Sequence, residues 1–239
     1  MPASTPRKIP GKLPPPPNAS DFARLPLGRL CRRVSGVYYR LHPLDPKTGN
    51  PYGPVFFSQR GTTRFDPAQG VGTLCVADSL TGAILEMFGD RLEPLGSLGR
   101  GLSRRMLGDW FATLVSVPQV NLFEASGANL TKLGVDLQLL AGEHAVTRLW
   151  ALRLMEHPAR ISGILYPSRH DDARRNVALF KRPSLTPARQ KDNLTPPAST
   201  QGIFAARKKG TLLHGPAVCL RDHPELLDAL TELEVVLLP

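Results

Sequence analysis

An α+β domain with one hydrophobic core, carried between proline-rich segments, is the fold class that the sequence predicts. Three observations predict it. Short runs of β-branched and aromatic residues recur between glycine and proline, as strands do. Segments of helical period are inserted among them without the regular strand–helix alternation of a doubly wound sheet. A hydrophobic content of 41% in 239 residues suffices for one good core.

Taken in order, residues 1–24 are rich in proline and small polar residues and read as a flexible segment, with KLPPPP a polyproline tether. Residues 25–182 form the compact domain. GVYYRLH and PVFFSQ read as strands, and GTLCVA as a third. The last runs into SLTGAILEMFG, where Ser79 caps a helix carrying Ala83, Ile84 and Met87. GDWFATLVSVP and VNLFEA read as two further strands. TKLGVDLQLLAG and HAVTRLWALRLMEHP are helical in period, the second stopping at His157 before Pro158. GILYPS is a strand, and NVALFKR the closing strand of the domain. Residues 183–202 are linker-like. Residues 203–239 form an extension with a short apolar stretch, TLLHGPAVCL, and a closing helix in PELLDALTELEVVLL, signalled by Pro224 and an acidic first turn.

Composition excludes several classes. Cys31, Cys75 and Cys219 are odd in number, widely spaced and form no CxxC pair, so neither a zinc site nor a disulfide framework is supported. No apolar run reaches the roughly 18 residues that cross a bilayer. The basic N-terminus has no apolar core behind it and is not a secretory signal. A cytoplasmic protein is expected. The net charge of +10 gathers at Arg100–Arg105, at Arg169–Arg182 and around Arg207, Lys208 and Lys209. Such charge favours polyanions or an acidic partner, although charge runs are commonly no more than a solvated face. No aromatic motif interleaves it as in an RNA-binding module. There is no Walker loop, GxGxxG, HExxH or GxSxG elbow. His144, His157 and His170 lack metal-ligand spacing, and His170-Asp171-Asp172 reads as a solvated turn.

Three polar residues in dense apolar surroundings remain. Arg64, in GTTRFDP, has the planar fork that grips phosphate oxygens bidentately; its bland reading is a salt bridge with Asp66. Glu86, in AILEMF, lies where an unpaired buried carboxylate would be costly, so its bland reading is a solvent-facing helix position. Ser168, in LYPSRH, is a strand-end hydroxyl able to orient another group; a turn serine is the commoner outcome.

The surrounding segments, in order, resemble the RES domain, named for its arginine, glutamate and serine. The likeness runs from about Gly36 to Arg182. It comprises Tyr39-Arg40, Arg64-Phe65, the strand leading to Ala83–Glu86, the NLFEASGANLTKLGVD region, Thr147–Ala151, Gly163–Ser168, and Asn176 with Phe180. The resemblance implies an ADP-ribosyltransferase-like split sheet with inserted helices. It implies a toxin of a bacterial toxin–antitoxin pair that consumes NAD as substrate, with no prosthetic group. The implied partner is an Xre-like helix-turn-helix antitoxin, through which alone nucleic acid would be reached; no membrane is involved. Mapped onto this sequence, Arg40 and Arg64 would hold the NAD phosphates, and Glu86 would stabilise the sugar cation as the nicotinamide bond breaks. Ser168 would support the cleft by positioning Glu86 or Arg64.

One position departs from the family pattern: Cys75, eleven residues from both Arg64 and Glu86, stands where a tyrosine is usual. Either another aromatic such as Tyr39, Phe56 or Phe65 supplies the contact to the nicotinamide end, or activity is reduced. Hydrolysis and phosphorolysis of NAD fit the resemblance equally. Protein mono-ADP-ribosylation is the alternative reaction, and a non-catalytic basic binding module with the same fold is the alternative of another class.

Overall fold

In the computed structural model, residues 12–59, 61, 63–67, 71–183, 185–189 and 210–239 are described. The basic tail around Arg207, residues 1–11 of the proline-rich start and residues 190–202 of the linker-like stretch lie outside them.

The fold is α+β. A short helix, α1 (Ala19–Ala23), precedes the long strand β1 (Cys31–Pro43). After a loop come β2 (Thr73–Ala77) and helix α2 (Leu80–Phe88). Ser79 caps α2, its hydroxyl accepting from the Gly82 amide at 3.0 Å. Then follow β3 (Glu93–Pro94), β4 (Arg100–Ser103), α3 (Arg104–Gly108) and the fifteen-residue strand β5 (Trp110–Glu124). Helices α4 (Gly127–Leu133), α5 (Gln138–Ala141) and α6 (His144–Glu156) lead to β6 (Gly163–Pro167) and β7 (Arg175–Phe180). The chain finishes with β8 (Thr186–Arg189), β9 (Thr211–His214), β10 (Val218–Cys219), α7 (Leu226–Glu232) and β11 (Val235–Leu238).

β1 pairs with both β2 and β5, so the path β1-β2-β7-β6-β5 closes on itself, with β9 and β10 added at β5 and β8 beyond β9. A second sheet runs β11-β4-β3. Side chains alternate along each strand and fill different cores. Ile164, Ala178 and Phe180 meet Trp150 and Leu154 of α6. Leu74, Val76, Val177 and Leu179 point the other way, to Val115 and Leu122. Ala83, Ile84 and Phe88 of α2 pack with Leu226, Ala229 and Leu230 of α7.

Several elements differ from expectation, each for a local reason. GDWFATLVSVP and VNLFEA are one strand. Val34 faces Val120 and Gly36 faces Val117, so Pro118 and Gln119 together oppose Ser35. That bulge accommodates the missing proline N–H without ending β5. PVFFSQ is not a strand: of its residues only Ser58 pairs, in an isolated bridge to Thr73. TKLGVDLQLLAG breaks into α4 and α5 at Gly134, which takes the left-handed conformation (φ 80°) that glycine adopts freely. EVVLL leaves the closing helix at Glu234 (φ 53°) and becomes β11, parallel to β4, in keeping with the β-branched pair Val235-Val236. Residues 12–24 are docked rather than loose: Leu13 and Phe22 are buried and Trp150 donates its indole N–H to the Pro14 carbonyl at 2.8 Å. Within the linker-like stretch, β8 pairs with β9.

Gly163 opens β6 because nothing larger fits. A Cβ there would lie 2.3 Å from the Ala178 carbonyl oxygen and 3.0 Å from the Leu179 Cα, both backbone atoms of the paired strand β7. Gly163→Ala is therefore expected to cost about 3 kcal/mol, lowering the thermal midpoint by ~6–12 °C. Gly28→Ala, with nothing within 4 Å of its Cβ, provides the control in the same melting experiment.

Candidate active site

A cavity of about 510 Å³, within the ~300–1,000 Å³ of ligand sites, opens beside the closed strand path. β1 contributes Arg40 and His42, β2 contributes Thr73 and Cys75, α2 contributes Glu86, and β6 contributes Tyr166; Arg64 and Phe65 come from the loop before β2. Five segments of the chain thus line one cavity.

Glu86 is the best-held group. Its Oε1 accepts from the Tyr166 hydroxyl at 3.0 Å and its Oε2 from the Asn176 amide at 2.8 Å. Tyr166 and Asn176 face each other directly across the β6–β7 ladder, so one cross-strand pair grips both oxygens. Glu86 is solvent-exposed, as a helix position facing water would be, but it faces the cavity and protein crowds part of its carboxylate. That crowding raises its pKa above the ordinary glutamate value, while Tyr166, Arg169 and Arg64 act in the opposite sense.

The arginines supply the opposite charge. Arg40 donates from Nη1 to the Cys75 carbonyl at 2.9 Å, and its buried Nε has no partner among the described residues. Arg64 donates from Nη1 to the Gly142 carbonyl at 2.7 Å, fastening its loop to the end of α5. Burial lowers the pKa of both, and neighbouring Arg169 lowers that of Arg64 further. Among the described residues neither guanidinium has a carboxylate within ion-pair distance. Two such cations converging on a cavity are suited to an anionic ligand. Asp66, the expected surface partner of Arg64, is buried instead, its Oδ2 accepting from the Ser58 hydroxyl and the Gly61 amide.

Arg169 joins these at the cavity mouth, ion-paired with Asp90 just beyond α2. It stands in a charge run of the sequence, and nothing distinguishes it there from its solvated neighbours. His42 is buried against the Thr113 hydroxyl, 2.9 Å away, and burial holds its pKa down at about 4, so it is neutral.

Two expected site residues lie elsewhere. Tyr39 and Arg40, as successive strand residues, face opposite sides of β1. The Tyr39 hydroxyl donates to Glu225 Oε2 at 2.6 Å in a separate recess, so it is not available to a ligand in the cavity. Ser168 is buried and does not line the cavity. Its hydroxyl accepts from the His170 amide at 3.3 Å and its own amide donates to the Arg174 carbonyl at 3.0 Å. It shapes the loop joining the limbs that carry Tyr166 and Asn176, one step removed from Glu86. Cys75 does line the cavity, with its thiol pushed up to about 11 by burial, so it is protonated at neutral pH. Of the aromatic substitutes, Phe56 and Phe65 line the cavity, and so do Tyr52, Trp110 and Tyr166. Among the described residues, no group of three or more His, Cys, Asp or Glu side chains is arranged to hold a metal ion, and no helix is long and apolar enough to cross a membrane.

With this arrangement in place, the chain is assigned by comparison. It belongs to the RES domain family, whose profile matches residues 30–198. Its fold is similar to that in the crystal structure of the M. tuberculosis MbcT–MbcA toxin–antitoxin complex. The likeness has a TM-score of 0.51 at 12% identity and covers 68% of this chain and 85% of the matched chain. At that identity the likeness is one of fold. No curated protein matches the sequence. The described C-terminal residues 210–239 lie beyond the family match.

Proposed function

We propose that this protein is the toxin of a toxin–antitoxin pair and that it cleaves the nicotinamide–ribose bond of NAD. The observation that carries the reading is the carboxylate of Glu86, held by both oxygens at a cavity that also receives Arg40, Arg64 and Arg169. As the C1′–N bond breaks, nicotinamide leaves with the bonding electrons and the ribose becomes oxocarbenium-like. Glu86 stabilises that positive charge, and Tyr166 and Asn176 fix where its oxygens sit. The guanidiniums hold the diphosphate and so the geometry of the bond being broken. Water or inorganic phosphate then attacks C1′. The toxin reading rests on family membership and on the fold shared with the MbcT–MbcA complex; the proposed partner is the Xre-like helix-turn-helix antitoxin that the family resemblance implies.

Purified protein given NAD is expected to release nicotinamide. Label from NAD retained on a protein target would show transfer in place of hydrolysis or phosphorolysis. Salt-sensitive nucleic-acid binding that survives Glu86→Gln combined with Arg64→Ala, with no nicotinamide released by the native chain, would instead support the basic-module alternative.

The raised pKa of Glu86 sets a pH dependence. The active form is the carboxylate, so activity is lost as pH falls through a pKa that lies above the usual ~4.3 of glutamate. A profile of kcat/KM against pH is expected to show its acid limb above that value; a limb at or below it would contradict the crowded site.

A further inference from the structure

We infer that Glu232, in the C-terminal segment beyond the family match, is a positioning residue for Glu86. The inference rests on the proposed function, and it concerns how this chain holds its carboxylate in place.

Glu232 sits at the end of α7 and touches two separate parts of the site's support. Its Oε2 accepts from the Thr81 hydroxyl at 2.6 Å, and Thr81 is buried in the first turn of α2, the helix that carries Glu86. Its Oε1 is ion-paired with Arg174. Arg174 lies in the β6–β7 loop, two residues before Asn176, and its carbonyl closes that loop onto the Ser168 amide. One carboxylate therefore ties the helix bearing Glu86 to the loop whose two limbs deliver Tyr166 and Asn176. Arg174 also reaches Ser79, the cap of α2, at 3.4 Å, and the Asp78 carboxylate accepts from the Arg175 amide at 2.8 Å, so the same seam is stitched in parallel.

The rest of the C-terminal segment keeps Glu232 there. Leu226, Ala229 and Leu230 share a core with Ile84 and Phe88, Glu225 receives the Tyr39 hydroxyl, and β11 pairs with β4. Side-chain exposure of Glu232 is 48%, so its ion pair adds little to global stability. Its leverage is geometric, because small misplacements of a catalytic group cost rate steeply.

The test compares Glu232→Ala, Glu232→Gln, Thr81→Ala and the double variant Thr81→Ala/Glu232→Ala in the full chain. Glu232→Ala is expected to lower kcat for nicotinamide release about tenfold with little change in KM. It should also move the acid limb to higher pH, because Glu86 loses part of its hold on the Tyr166 and Asn176 donors while Arg64 and Arg169 still face it. Glu232→Gln keeps an acceptor for Thr81 and should recover part of the loss. The double variant should be no worse than Glu232→Ala, since Thr81→Ala removes one of the two contacts that Glu232→Ala already breaks. Hydrogen exchange of the α2 amides, which needs no substrate, should quicken in Glu232→Ala. Unchanged kcat with an unmoved acid limb, or a kcat loss that follows only a lower folded fraction, overturns the inference. If the native chain releases no nicotinamide, the proposed function fails and α2 exchange alone decides the brace: unaltered exchange overturns it.

Discussion

Glu86→Gln is expected to fold, to bind NAD and to release nicotinamide about 1,000-fold more slowly than the native chain. The reason lies in what the carboxylate does as the bond breaks. A glutamine side chain has nearly the same shape and can still meet Tyr166 and Asn176, but it carries no charge to set against the developing sugar cation. Binding, which depends chiefly on the arginines, is largely kept. The substitution should not destabilise the protein. The crowded carboxylate has a raised pKa, so the folded chain holds its proton to higher pH than the unfolded chain does. Stability then falls as pH rises through that window, and at neutral pH the ionised group is a net cost. A thermal midpoint for Glu86→Gln equal to or above that of the native chain, paired with loss of turnover, would separate chemistry from folding.

Arg64→Ala is expected to lower kcat/KM about 30- to 100-fold, mostly through KM, the scale of a lost charge-assisted contact to phosphate. Lysine at this position should restore only part, because it keeps the charge but not the planar fork. Arg64 also fastens its loop to the Gly142 carbonyl. A fall in melting temperature of a few degrees is therefore expected as well. Steady-state kinetics at two salt concentrations check the assignment: the native KM should rise with salt, and that of Arg64→Ala should rise less.

Much of this was legible in the sequence because the decisive signals are local. Ser79 caps α2 where a serine before an apolar helical run should. α6 ends at Glu156, with His157 extended before Pro158 as a residue preceding proline should be. Arg40, Arg64, Cys75 and Glu86 were each singled out from the sequence, and all four line the cavity. What escaped depends on pairing. Tyr166 and Asn176 were visible as members of a sequence pattern, but only the β6–β7 register shows that they stand opposite one another and share one carboxylate. The reversal of Tyr39 follows from strand alternation next to Arg40, a signal that was present and outweighed by the family pattern. Pro118 looked like a strand end because a bulge is defined by the partner strand. The C-terminal segment looked like an appendage because its contacts with Tyr39, Thr81 and Arg174 span well over fifty residues of sequence.

The most direct test of Glu86-dependent cleavage is product analysis of NAD incubated with the native protein and with Glu86→Gln side by side, by proton NMR. Free nicotinamide should appear with the native chain, matched by loss of the β-nicotinamide C1′ proton signal, and should be absent on the same timescale with Glu86→Gln. Intact NAD with the folded native chain, or equal nicotinamide release from both proteins, would contradict it.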